Sequence, residues 1–244
     1  MIYFIGIDDT DNLDSRGTGF QARSLGFSLM EAGLLKLISV TRHQLLADRR
    51  IPFTSHNSSA SLVGESTADR DLLINHCREF LIRESAFDSD AGLCITVPEN
   101  ITDEVVKFGN RSKKEILTLD EAVELAEKNS IFLDGYLNTR LGMIGSLAAV
   151  GLQAGGNDGR LLWTKNLRET TGTFTVDDYL KKTGVDKIVN MEGEDLEPQS
   201  VLLITEWCRP VMRNGLITLI AEKINNNKYE YRSASKEYIK SISE

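Results

Sequence analysis

The sequence predicts an α+β fold made of two β-α-β-β-α-β units packed together. Short apolar runs rich in Ile, Leu, Val and aromatic residues recur along the chain. Stretches with apolar residues on one helical face separate them, and the runs come in pairs between helices rather than singly. "MIYFIGID" reads as a buried strand, and Thr18 to about Ala32 as a helix with Phe20, Leu25, Phe27, Leu29 and Met30, ended near Gly33. "LLKLISVTRHQL" and "SASLVGE" give two more strands. Asp69 to Glu84 is helical, with Leu72, Leu73, Cys77, Phe80 and Leu81 on one face. "AGLCITVP" is a fourth strand, stopped by Pro98. That order is the ferredoxin-like split β-α-β arrangement.

A helical bridge over Ile101–Asn129 leads to a second series of the same order. "SIFLDG" reads as a strand, "RLGMIGSLAAVGLQ" as a helix and "GRLLWTKN" as a strand. A polar excursion from Leu167 to Gln199 follows, with a short helix at Val176–Lys182. "SVLLITEW" is read as a strand, Asn214–Lys223 as a helix and "KYEYRS" as the last strand, with the triplet Asn225–Asn227 as a turn. The two halves share element order and no readable repeat. The domain expectation is a first unit over residues 1–105 and a second over 106–244.

The 244 residues are 41% hydrophobic and 26% charged, the balance of a water-soluble globular chain. No apolar run reaches the roughly 18 residues of a membrane span. The start carries no basic leader, and Cys77, Cys94 and Cys208 form neither a CxxC pair nor a disulfide framework, so a cytoplasmic location is expected. A net charge of −8 argues against long-range attraction to nucleic acid. The basic pairs Arg49-Arg50, Lys113-Lys114 and Lys181-Lys182 read as solvated faces.

Three segments carry candidate chemistry. Asp8, Asp9 and Asp11 end the first strand, with Asp14 close behind. Such a crowd of carboxylates suits Mg²⁺, which takes a few protein oxygens and completes its shell with water and phosphate. Thr10 lies between them, and Gly17-Thr18-Gly19 at the helix start suits an anion. A turn that merely caps the helix through Thr18 or Asp14 explains the same residue types. An EF-hand fails, because Arg16 and Arg23 occupy ligand positions, and a Walker loop is absent. A DxDx[TV] aspartyl phosphotransferase pattern nearly fits over Asp9–Leu13, with only Leu13 departing from it, and stays as the runner-up chemistry. The second segment, "IPFTSHNSSASL", gathers hydrogen-bonding groups at Thr54–Ser59. There His56 suits acid–base work, and Asn57, Ser58 and Ser59 suit phosphate oxygens. His43 and His76 sit in apolar-periodic elements and read as structural. In the third segment, "NTRLGMIGSLAAVG", Gly142 and Gly145 give a smooth helix face for a ligand or for close packing, and Arg140 could meet a phosphate.

Together these motifs resemble the archaeal tRNA agmatidine synthetase family, which joins agmatine to an anticodon cytidine using ATP. "GIDDTD" followed by "RG" resembles its N-terminal signature, and "GMIGSLAAVG" its GLIGALAAVG-like helix. "IPFTSHNSSASL" and "WCRPV" are similar to two further segments, so the resemblance runs from Met1 to about Gly215. It implies a kinase-like domain for ATP and Mg²⁺ over 1–105, with Asp8, Asp9 and Asp11 as metal and phosphotransfer carboxylates, and a ferredoxin-like domain over 106–244. Phe20 stands where the family has the threonine that takes a phosphate, with Thr18 two positions earlier. The family's OB-fold and zinc ribbon for tRNA have no counterpart here. The expected activity is ATP- and Mg²⁺-dependent phosphoryl or nucleotidyl transfer to a small-molecule or RNA acceptor. A non-catalytic nucleotide-binding module, or the family activity with a separate RNA-binding partner, stays open. A homodimer is compatible with the sequence, and no membrane association is expected.

Overall fold

The computed structural model describes residues 1–54, 56–224 and 228–243. Its first half runs β1 (Ile2–Asp8), α1 (Thr18–Glu31), β2 (Lys36–Gln44), β3 (Ser58–Glu65), α2 (Arg70–Glu84) and β4 (Gly92–Thr96). The strands lie in the order β4-β1-β3-β2, each antiparallel to its neighbour. This is the split arrangement predicted. Asp69 caps α2 by accepting from the Asp71 N–H, and Gly33 ends α1 at φ +67°. The bridge holds two helices, α3 (Asp103–Arg111) and α4 (Leu119–Lys128), the latter opened by a Thr118/Glu121 capping box. The expected boundary at 105/106 falls inside α3.

The next elements complete this layer rather than start a separate one. The strand β5 (Phe132–Gly135) pairs with β4 at one edge. Then α5 (Gly142–Gly155) crosses the sheet, and β6 (Arg160–Thr164) pairs with β2 at the other edge. Side-chain alternation along β1 sorts the two faces. Tyr3, Ile5 and Ile7 join the core under α1 and α2, while Phe4 belongs to the core beneath α3, α4 and α5. The sheet is thus covered on both sides.

The remaining chain extends the sheet with β7 (Gly172–Thr175), α6 (Val176–Lys182), β8 (Lys187–Val189), β9 (Val201–Ile204), β10 (Val211–Arg213), β11 (Leu216–Lys223) and β12 (Tyr231–Ser233), closed by α7 (Lys236–Ser243). Among the described residues the full sheet has twelve strands. The order β-α-β-β-α-β does recur from β5 to β8, but these strands do not pair as in the first unit: β7 meets β9, and β8 runs parallel to β11. The helix expected at Asn214–Lys223 is a strand. Asn214 and Gly215 adopt φ +51° and +77°, forming a two-residue turn that pairs Arg213 with Leu216. Asn-Gly is the preferred chemistry for such a hairpin, and it overrides the helical spacing of the apolar residues that follow. The Asn225–Asn227 triplet lies outside the described residues.

His43 is fully buried, with Nδ1 2.9 Å from Asp158 Oδ1 and Nε2 2.8 Å from Ser61 Oγ, and Ser61 Oγ also donates to Gln153 Oε1. This chain of bonds ties β2 and β3 to α5, as a structural histidine would. His76 Nε2 meets Ser28 Oγ between α2 and α1.

The helix α5 sits in backbone contact with β1. A Cβ at Gly6 would lie 2.0 Å from the Ser146 carbonyl oxygen. Gly6→Ala should therefore lower stability by about 1–3 kcal/mol, the usual cost of overpacking. At roughly 2–4 °C per kcal/mol for a chain of this size, calorimetry would show a clear drop in Tm. An unchanged Tm would mean that α5 is not seated on β1 this way.

Candidate functional site

The alternation that puts Phe4 and Gly6 under α5 puts Asp8, the last residue of β1, beneath that helix's first turn. The approach is possible because of glycine: a Cβ at Gly145 would fall 1.7 Å from Asp8 Oδ2, and one at Gly142 would strike the Asp8 and Asp90 carbonyls. The chain then turns sharply at Asp9, which takes φ +50°, a left-handed conformation that Asp tolerates better than most residues. Asp11 swings back to the start of α1, where Oδ1 accepts from the Thr18 N–H at 3.0 Å and from Thr18 Oγ1 at 2.8 Å. Asp11 is therefore the group that satisfies the helix N-terminus; Gly17 at the cap position makes no side-chain cap bond.

These residues form one wall of a cavity of about 250 Å³. The polar loop forms another: Thr54, His56, Asn57 and Ser58 line it, and Thr54 Oγ1 donates to the Asp11 carbonyl at 3.1 Å. Gly142 and Gly145 of α5 form the third. The sequence-predicted segments thus converge on one space, with Asp8, Asp9, Asp11 and Thr18 facing it. Several predicted residues lie outside its lining. Thr10 is buried behind Thr18, to whose Oγ1 it bonds, and Gly17 is exposed. Gly19 packs on Leu162, and Ser59 is buried in β3. Arg140 is exposed, its side chain lying against Gly135. Ser55 is outside the described residues.

Sequence reasoning missed the apolar wall of Leu45, Ile51, Phe53, Ile116, Leu117 and Ile144 and the lining residues Glu115 and Arg50, the latter read from the sequence as part of a solvated face. It also missed two carboxylates outside the lining. Asp88 accepts from Asn12 Nδ2 at 2.8 Å, and Asp90 bonds the Thr139 backbone and hydroxyl. Both act on Asp9. Burial and the charges of Asp90, Asp11 and Asp88 push the Asp9 carboxyl up to about 6. Burial first, then Asp9 and Asp11, push Asp8 up to about 8. The signal for Asp88 and Asp90 was the predicted strand order itself: β4 runs antiparallel beside β1, with Gly92 opposite Asp8. The residues just before β4 must therefore sit beside those just after β1.

Among the described residues, no three His, Cys, Asp or Glu side chains are already arranged around a metal. The donor chemistry of Asp8 and Asp9 nonetheless fits Mg²⁺, which is commonly held by one or two carboxylates with the rest of its shell from water and phosphate. A cation there would relieve the repulsion that raises both groups. No helix among the described residues is long and apolar enough to cross a membrane.

Neither a family model nor a curated protein matches this chain. Solved structures do. A tRNA fluorescent labelling enzyme matches at 27% identity and TM-score 0.55, over 62% of this chain and 36% of that one. Apo TiaS, the tRNA(Ile2) agmatidine synthetase, matches at 26% and 0.54 over 62% and 35%. TiaS in complex with tRNA(Ile2) and ATP matches at 27% and 0.55 over 62% and 36%. The resemblance carried by the sequence motifs thus holds in three dimensions. The chain matches only about a third of the length of each of these proteins.

A carboxyl with a raised folded pKa binds a proton that the unfolded chain has released, so stability falls as pH rises from about 4 towards 8. The metal-free protein should melt lower at pH 8 than at pH 5.5. Asp8→Asn should recover Tm at pH 8, by ~2–4 °C for each kcal/mol regained, and gain less at pH 5.5. A gain independent of pH would show that Asp8 does not titrate in this range.

Proposed function

We propose that the cavity binds ATP with Mg²⁺ and that the chain transfers a phosphoryl or nucleotidyl group from it. The observation that carries this reading is the convergence of an acidic strand end, a hydroxyl- and amide-rich loop and an apolar wall on one cavity, from chain segments as far apart as Asp8 and Ile144. Each wall matches one part of such a ligand. Leu45, Ile51, Phe53, Ile116 and Leu117 offer apolar surface to a base, and Thr54, His56, Asn57 and Ser58 offer groups to phosphate oxygens. Asp8 and Asp9 would hold Mg²⁺, which when bound neutralises phosphate charge and sets its orientation.

The chain's own acid–base pair is Asp11 with Thr18. The Thr18 hydroxyl faces the cavity and already donates to Asp11, so Asp11 is placed to take its proton. Phe20 points elsewhere, its ring under the guanidinium groups of Arg16 and Arg23. Thr18 is therefore the hydroxyl that stands in for the one expected two residues later. Similarity to TiaS structures solved with ATP, and with AMPCPP and agmatine, supports a nucleotide in this cavity. The acceptor is a small molecule or an RNA, and the setting is cytoplasmic.

Titration calorimetry with ATP should show binding that requires Mg²⁺ and weakens by an order of magnitude or more in Asp9→Asn, with circular dichroism unchanged. Thr18→Val should keep nucleotide binding and lose turnover. Absence of Mg²⁺-dependent binding at millimolar ATP would overturn the reading.

A further inference from the structure

The cavity is rich in carboxylates and poor in cations. Among the described residues, Asp8, Asp9, Asp11 and Glu115 line it, and Arg50 is the only lysine or arginine that does. Glu115 is already taken by Arg111 at 2.7 Å. A nucleoside triphosphate carries more negative charge than one Mg²⁺ neutralises, so its phosphates call for a cation from the chain as well. Thr54, Asn57 and Ser58 supply only neutral hydrogen-bonding groups.

The guanidinium of Arg50 is turned onto Asp48, two residues earlier. Its Nε donates to Asp48 Oδ1 at 2.9 Å and its Nη2 to Oδ2 at 2.8 Å. A guanidinium makes the same two-pronged grip on phosphate oxygens, so Asp48 stands where such an anion would. The turn itself does not rely on that grip. The Arg50 backbone N–H donates to Asp48 Oδ1 at 2.9 Å, and the Ile51 N–H donates to the Asp48 carbonyl at 3.0 Å. The loop therefore keeps its shape when the guanidinium leaves. Leaving costs little, because the Arg50 side chain is 75% exposed and exposed ion pairs add little stability. Four residues on, Thr54 ties the same loop to the Asp11 carbonyl, which keeps Arg50 in the cavity wall.

We propose that Arg50 binds the phosphate oxygens of the nucleotide, exchanging the Asp48 carboxylate for them as the ligand enters. The inference rests on the ATP reading above and deepens it. Asp48 competes with the ligand for one guanidinium, so only a molecule that offers paired anionic oxygens displaces it. A nucleoside without phosphates fills the apolar wall and leaves the Asp48–Arg50 pair in place. Affinity is thus set by exchange of one anion for another, within a loop whose backbone stays fixed.

The readout is ATP affinity by titration calorimetry with Mg²⁺ on the full chain, with circular dichroism as the check on folding. Arg50→Ala should weaken ATP about tenfold or more, the scale of a lost charged hydrogen bond. Arg50→Lys should recover only part of that, because an ammonium lacks the fork. Asp48→Asn separates exchange from a structural role. Its amide oxygen still accepts from the Arg50 N–H but no longer holds the guanidinium by charge, so ATP should bind several-fold tighter than to the wild type. That gain should vanish in Asp48→Asn/Arg50→Ala. Arg50→Ala at wild-type affinity, Asp48→Asn no tighter than wild type, or a gain that survives without Arg50 would each overturn the role of Arg50 and leave ATP in the cavity. Failure of the wild type itself to bind ATP would overturn both.

Discussion

The seating of α5 directly on the central strands is the constraint from which the rest of the molecule follows. Gly6 and Gly92 on the sheet, with Gly142 and Gly145 on the helix, remove the side chains that would otherwise hold the two layers apart. Ordinary helix-to-sheet packing interposes a layer of side chains, and here that layer is absent along one line. The same device joins α5 to α3, where Cβ atoms at Gly109 and Gly151 would each meet the other helix's backbone. Close approach lets a strand end and a helix start share one small volume, and Asp8 is the residue placed in it. A looser crossing would leave Asp8 in water as an ordinary carboxylate.

That burial links packing to electrostatics. The acidic groups at Asp8, Asp9, Asp11, Asp88 and Asp90 come from two chain segments made adjacent by the β1–β4 pairing. Removing water from Asp8 and Asp9 raises the energy of their charged forms and strengthens the repulsion they feel from the other carboxylates. Only part of this is offset internally, by the Asp11 bonds to Thr18 and the Asp90 bonds to Thr139. The site is therefore held in a state that a cation improves, by the same packing that stabilises the fold around it.

Much of the first half was legible because its signals are local. The apolar run of β1, the one-sided apolar face of Asp69–Glu84 and the Gly33 stop are each written in a short stretch of chain, and the strand order follows from the element order. The loops of the site were legible by residue type: carboxylates and hydroxyls in such density need a common explanation. Arg140 and Gly19 were less so, since their surroundings are set by Gly135 and Leu162, distant in sequence. The Asn214–Lys223 segment was misread because apolar spacing was weighed above the Asn-Gly turn that fixes a hairpin. Pairing of β6 through β12 depends on contacts that span the whole second half and leave no short-range trace.

Charge shows the same division between local and distant. Adjacent basic pairs drew notice in the sequence, yet Arg50 is held by Asp48, Lys113 by Asp158 and Lys181 by Asp177. Arg16, Arg23, Arg168 and Arg209, none of them in an ion pair among the described residues, are scattered through the sequence, and only folding gathers them. A net charge summed over the chain averages an acidic cavity with a basic face and describes neither. The first helix joins the two. Its N-terminus is held by Asp11 at the cavity, and the basic face begins at Arg16, beside that same turn.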